Sequence, residues 1–408
     1  MDTPLPSRRG ARVEPPAWFP EPIEAAQVSA QTTVGVFLLQ AERLQRRPML
    51  HDLSYGAWGG SSWYDMRERA TSIACALVTA GVTPGERVIL LSEDRVRLVA
   101  SQLAVQMAGA VTVPLDPGVQ AGVAQAAAHE TGAALAIASN EVSASKLHLT
   151  RTLGRIVRLD GEVSRWSRAR PERRPYGEVI RRLRRLDSSD GASVVRNSDG
   201  GAALELSHRD LVGAARLCVT ALGIQAADSL LSMLPSSRVV QRTLSISIAM
   251  AAGAPLWLWP GLEHSAAAVA SVRPTVILGV PEVLDELWEK ARRDIGSRSR
   301  LKQAVLWWAL AGGGEIRDGI RMAWSHRPRA GLARLLLGPL RGRIGGGRLR
   351  LFVSGGGLLT PDVEAFFRVV GMPVSLGCLE LPAMRAADAV EIRSSSRADN
   401  RLSEDSTL

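Results

Sequence analysis

The sequence predicts an α/β fold built on two doubly wound mixed sheets with helices on their faces. Three observations carry that prediction. Short apolar runs of strand length alternate with stretches of helical periodicity from about residue 32 to residue 377. The alternation occurs twice, once before and once after a polar, glycine-containing stretch, Ala192–Asp210. Glycine turns follow two of the strands, at Asn197–Gly201 and at Ser354–Gly357.

In chain order, residues 1–30 read as a disordered Pro/Arg leader, without the apolar core of a secretory signal. Residues 31–190 read as a first α/β sub-domain. Val34, Phe37, Leu38 and Ala41 mark a helix within Thr32–Pro48. A second helix, Trp63–Ala80, starts at the N-cap candidates Ser61 and Ser62 and stops at Gly81. The turn Thr83-Pro84-Gly85-Glu86 leads to strand Arg87–Leu91, helix Arg95–Met107 and strand Val111–Leu115. Helix Val119–His129 and strand Ala133–Ala138 follow. Residues 151–190 hold the densest arginine cluster and read as a solvated basic linker with a short helix.

The second sub-domain spans residues 191–385. Ala192–Val195 and Ala202–Leu206 flank the glycine turn. Strands at Asp228–Met233, Pro255–Trp259 and Thr275–Leu278 then alternate with helices at Arg209–Ala221, Arg242–Ala252, Ala267–Val272 and Glu282–Arg292. Residues 298–343 form a helical insert rich in Trp, Leu and Arg. Trp307 and Trp308 suit helix packing, and the alternation of apolar and cationic residues also suits a membrane surface. Strand Leu349–Val353, a helix from Thr360-Pro361-Asp362 to Arg368, and strand Pro373–Leu376 complete the pattern. Residues 386–408 are polar and read as disordered.

Composition narrows the function. The 408 residues are 46% hydrophobic and 22% charged, which suits a large globular core. No run reaches the roughly 18 apolar residues of a membrane span. Three separated cysteines (Cys75, Cys218, Cys378) point to a reducing compartment, the cytoplasm, and away from a zinc site. The net charge of +10 is almost all arginine, with lysine only at 146, 290 and 302. No recognition motif or aromatic interleaving accompanies it, so nucleic acid is not the expected partner.

Ala192–Asp210 has the strand, glycine turn and polar exit of a loop that wraps phosphates with backbone N–H groups. It offers Ser198, Gly200 and Gly201, but no lysine.

Further landmarks occur in order. They are Val82–Val88, Ala108–Val111 with Val113-Pro114, and Leu206-Ser207-His208-Arg209-Asp210. Leu234-Pro235 with Arg242, Arg273-Pro274-Thr275, Gly279-Val280-Pro281 and Gly345–Leu358 follow. Their sequence over some three hundred residues resembles the AMP-forming acyl-CoA synthetases of the adenylate-forming ligase superfamily, long-chain fatty-acid branch. The resemblance implies the large N-terminal domain of that fold, two mixed sheets plus a partial β region, with the small C-terminal domain absent. It implies a fatty acid or other carboxylate as substrate, and activation by ATP to an acyl-adenylate. Mg²⁺ would bridge the phosphates, and CoA would displace AMP. It also implies that Ser354, Gly355, Gly356 and Gly357 form an adenine shelf; the same glycines would also serve a plain strand-to-helix turn.

The departures fall on the chemistry. Against the family loop this chain is three residues short; Asp199 stands where phosphates approach and Ala202 where a lysine is expected. At the adenine and metal segment, Gly377 is retained and Cys378 replaces a tyrosine. Glu380 serves as the metal carboxylate only if the loop is one residue shorter; otherwise Pro382 takes that position. Arg238 stands for a histidine and Gln241 for a glutamate, and no lysine follows Lys302. His208 reads as a structural histidine. The leading expectation is a degenerate, truncated long-chain acyl-CoA synthetase homologue with impaired or no catalysis. The alternatives are an active ligase completed by another chain, or a non-enzymatic basic module with a protein partner or peripheral membrane contact.

Overall fold

The computed structural model describes residues 25–54, 57–150, 152–166, 172–195, 203–259, 265–297, 342, 346–355, 359–370, 372 and 374–376. Helix α1 (Thr33–Leu44) is capped by Thr32, whose side chain accepts from the Gly35 amide. A hairpin follows, β1 (Pro48–Ser54) and β2 (Ala57–Ser62), paired antiparallel. Helix α2 (Trp63–Thr79) starts with a reciprocal capping box: Ser62 accepts from the Asp65 amide, and Asp65 accepts from the Ser62 amide. Its buried face, Trp63, Met66, Ala70, Ile73, Ala74 and Leu77, repeats at three- and four-residue steps.

The first sheet contains β3 (Arg87–Leu91), β4 (Val111–Leu115), β5 (Leu135–Ala138), β6 (Arg155–Arg158), β7 (Gly191–Val195) and β8 (Leu204–Ser207) in the order β6-β5-β3-β4-β7-β8. All neighbours are parallel except β7 and β8, which form an antiparallel hairpin. Helices α3 (Arg95–Met107), α4 (Ala121–Thr131), α5 (Glu141–Ser145) and α6 (Glu162–Trp166) follow β3, β4, β5 and β6 in turn. Period-two alternation sends Val88 and Leu90 into the core shared with the second sheet. Ile89 and Leu91 go into a separate cluster with Val111, Val113, Ala124 and Ala128. A parallel sheet is covered on both faces, which explains why these strands read as continuous apolar runs.

Residues 151–190 differ from a solvated linker. Helix α7 (Arg173–Arg185) buries Tyr176, Val179 and Leu183. Arg182 on it donates to the Val82 carbonyl at 2.7 Å and the Ala108 carbonyl at 2.9 Å, and pairs with Glu178 at 3.0 Å. Those carbonyls lie just beyond α2 and at the end of α3, where backbone acceptors are left over. The arginine pattern that suggested a basic surface thus includes one residue that ties two helix ends together.

The second sheet runs β13-β12-β11-β9-β10-β1-β2, with β9 (Leu230–Met233), β10 (Leu256–Leu258), β11 (Val276–Gly279), β12 (Leu351–Ser354) and β13 (Val374–Leu376). Its helices are α8 (His208–Ala221), α9 (Val239–Ala252), α10 (Ser265–Val272), α11 (Pro281–Gly296) and α12 (Pro361–Val369). The strands are parallel except at the β1–β2 edge. The hairpin from residues 48–62 therefore belongs to the sheet formed by the later part of the chain, a long-range pairing that sequence spacing does not reveal. One continuous cluster, from Phe37 and Trp63 to Val353 and Phe367, joins the two sheets.

At the amino edge of the second sheet, Asp228 accepts from Arg350 at 2.5 and 3.0 Å and from the Thr275 hydroxyl at 2.7 Å. Burial alone would raise the Asp228 carboxyl; these bonds hold it below its ordinary value. The Thr275 landmark is thus part of a clamp over the starts of β9, β11 and β12.

Candidate functional site

Parallel α/β sheets bind ligands outside the carboxyl ends of their strands. The carboxyl ends of β3, β4 and β5 face the end of β9 and the start of α9 across a cleft of about 750 Å³. Ser92, Arg95, Ser139, Asn140, Ser236 and Arg242 line it, together with Asp52 at the end of β1. The Arg95 guanidinium lies 3.4 Å from the buried Asp52 carboxylate. Arg242 donates to the Ser236 carbonyl at 2.9 Å. Burial, then the neighbouring Arg95 charge, push the Arg242 guanidinium down to about 10, so it remains a cation at neutral pH.

The stretch expected to hold phosphates leaves from the carboxyl end of β7, and β8 returns from it. Ser198, Gly200 and Gly201 lie in the connection, outside the described residues. The flanks are fixed. Ser207 caps α8 by accepting from the Asp210 amide, and Asp210 accepts from the Ser207 amide and hydroxyl. His208, at the first turn of α8, is fully buried. Its Nδ1 lies 2.7 Å from the Thr33 hydroxyl, which donates to the Gln106 carbonyl oxygen at 2.8 Å; that amide donates to the Ala192 carbonyl at 3.1 Å. Desolvation pushes the imidazole down to about 4, so His208 is neutral at pH 7. It ties α1, α3, β7 and α8 together, in line with the structural role expected from the sequence. This network joins the flanks of the loop to the shared core.

Of the glycine shelf, Ser354 and Gly355 are described; Gly356 and Gly357 lie outside the described residues, as do Gly377, Cys378 and Glu380. Ser354 ends β12. Its hydroxyl is buried and has no hydrogen-bond partner among the described residues. The Gly355 amide donates to the Gly279 carbonyl at 2.9 Å, so β11 and β12 end together. Gly279 is required there: a Cβ would come within 2.9 Å of the Phe352 ring. An orphaned hydroxyl beside a glycine-rich strand end fits a polar ligand edge such as an adenine ring. Among the described residues no group of three His, Cys, Asp or Glu side chains is placed to hold a metal ion. Glu380, the carboxylate that the resemblance offers to Mg²⁺, is not among those residues, and Mg²⁺ on a nucleotide takes most of its ligands from phosphates and water.

Sequence reasoning missed the Arg95–Asp52 pair and the role of Arg242. Arg242 was visible only as a landmark after Leu234-Pro235. Asp52 reaches the site through β1, whose sheet assignment depends on a pairing with residues 256–258.

Two covered sheets open their carboxyl edges onto one crevice, which is where an α/β fold of this kind binds its ligand. The chain belongs to the AMP-binding enzyme family, whose profile matches residues 37–189 and 203–377. It is 24% identical over 346 residues to the long-chain-fatty-acid–CoA ligase FadD15 of Mycobacterium bovis, covering 79% of this chain and 56% of that protein. Over 113 residues it is 31% identical to long-chain-fatty-acid–CoA ligase 1 of Schizosaccharomyces pombe, 27% of this chain and 15% of the relative. The N-terminal domain of FACL13 from Mycobacterium tuberculosis superposes with a TM-score of 0.61 at 15% identity, covering 85% of this chain and 75% of that one. The chain spans at most about half the length of the curated relatives it matches. The adenylate-forming N-terminal architecture read from the sequence is therefore the observed one. No helix among the described residues is long and apolar enough to cross a membrane.

Proposed function

We propose that this chain is the nucleotide- and acyl-binding lobe of a fatty-acid–CoA ligase-like protein in which acyl-adenylate formation is impaired. One observation carries the reading. The two segments that match the family flank residues 190–202, and that interval contains the glycine turn Asn197–Gly201 and Ala202, with Asp199 and without a lysine. Strands β7 and β8 on either side are held in register, with Val194 opposite Glu205, and α8 is capped by Ser207. The scaffold that presents the loop is kept while the loop's chemistry is changed. A carboxylate at Asp199 repels the β- and γ-phosphates, and without a lysine no side-chain ammonium offsets their charge. An adenine ring depends on the Ser354–Gly357 edge and on Gly377 and Cys378, which lie apart in sequence from the altered loop. Adenine nucleotide and fatty acid would therefore bind with little conversion.

The test is pyrophosphate release from the purified chain with palmitate, ATP and Mg²⁺. Release no faster than the uncatalysed background is expected. Sustained turnover by the chain alone would overturn the reading. Turnover that appears only when a second chain is added would replace it with that of a ligase completed by a partner, forming acyl-CoA from CoA.

A further inference from the structure

The cleft between the two sheets carries a cation, Arg242, that makes no ion pair within 4 Å among the described residues; the Asp116 carboxylate acts on it only from farther off. Arg242 is largely buried, and the one hydrogen bond of its guanidinium among the described residues is to the neutral backbone carbonyl of Ser236. Of the carboxylates at the rim, Asp52 offsets part of the Arg95 charge, and the others have partners outside the arginine pair or stand exposed. Asp52 pairs with Arg95 at 3.4 Å, Asp94 with Arg97 at 3.2 Å, and Asp160 with Arg158 at 3.2 Å. Asp116 accepts from the Gly118 amide at 2.9 Å, and Glu93 is exposed. Below lies a void of about 20 Å³ lined mostly by apolar side chains such as Leu98, Val99 and Ile246, with Ser232 and Ser245 among them. Arg95 and Arg242 therefore stand on a mostly apolar base and open to a cavity of about 750 Å³. A buried guanidinium is costly unless something ionic pairs with it, and two adjacent guanidinium forks match the oxygens of a tetrahedral dianion. Ser92, Ser139 and Asn140 add neutral hydrogen-bonding groups around the same space.

We propose that the Arg95–Arg242 cleft is an anion site for a phosphate group, either free phosphate or the phosphomonoester end of a small ligand. It is separate from the adenine edge at Ser354 and does not depend on adenylation. The site also predicts a trade-off. Removing the Arg242 charge should stabilise the empty protein while abolishing the anion response, whereas a merely structural arginine would destabilise it on removal.

Thermal unfolding tests this in inorganic phosphate, glycerol 3-phosphate or acetate, each matched in ionic strength with sodium chloride. Phosphate or glycerol 3-phosphate is expected to raise Tm by roughly 2 °C or more at saturation, and acetate is expected to do far less. A response to phosphate alone assigns free phosphate; a response to glycerol 3-phosphate assigns the phosphomonoester. Arg242→Gln and Arg95→Gln should each weaken the response at least about tenfold in concentration, and Arg242→Met should raise the baseline Tm. Arg242→Lys keeps the charge but loses the fork, so it should respond weakly. No shift with either phosphate, or a shift unchanged in both Gln variants, overturns the proposal. Because AMP binding at the Ser354 edge should persist in Arg242→Gln, failure here is distinguishable from failure of the nucleotide reading.

Discussion

At the scale of single residues, His208 and Arg182 show what side-chain type alone conceals. His208 follows the phosphate-loop stretch and could pass for a catalytic group. Its complete burial and its contact with Thr33 make it a neutral strut. The pH consequence has a definite sign. The folded imidazole titrates near 4 and the unfolded one near 6.5, so the unfolded state binds more protons between those values. Stability is then full above pH 6.5 and is lost as pH falls toward 4, by about 3 kcal/mol from this group. Denaturant titrations at pH 7 and pH 5 check this, and His208→Asn should remove most of that slope. Cys75 is buried and its thiol is pushed up to about 12, so thiol reagents should react with it only after unfolding. Legibility differed among these residues. The cap of α2 was plain in the sequence, because Ser62 sits directly before helical periodicity; the equivalent cap at Ser207 showed only as part of a landmark, although it too precedes a helix with Asp three residues on. The partners of Arg95 and Arg182 were not plain, because each depends on a contact across many intervening residues.

At the scale of elements, the strands of the first sheet were readable to the residue at β3 and β4, since continuous burial leaves uninterrupted apolar runs. The β1–β2 hairpin was not, because its residues mix Trp, Gly and Ser without strict alternation, and β1 pairs with a strand some two hundred residues away. Helix α7 looked like a linker because its arginines outnumber its apolar residues. Yet three buried positions at three- and four-residue steps hold it to the core. Arg182→Ala should cost about 1–3 kcal/mol, because two carbonyls at helix ends lose their donor. Arg173→Ala and Arg185→Ala, on the exposed face, should change stability by less than about 0.5 kcal/mol. Asp228→Ala should cost about 1–3 kcal/mol, since it releases Arg350 and Thr275 at once. Urea unfolding of the set separates these cases.

At the scale of the whole molecule, the chain keeps the family's two-sheet scaffold, and the proposed loss of activity rests on the stretch between β7 and β8. Fold recognition rested on many landmarks in order, and each is a structural device: the Gly85 turn, the Gly109 turn and the Thr275 clamp. They hold the backbone in place and take no part in chemistry, which is why fold was more legible than activity. The central claim is that the adenine edge works while the phosphate grip does not. Calorimetric titration of AMP and of ATP with Mg²⁺ into the same protein tests it most directly. The account predicts that AMP binds and that ATP binds no tighter, because the β- and γ-phosphates meet Asp199 and no lysine. ATP binding tenfold or more tighter than AMP, or no binding of AMP at all, would contradict it.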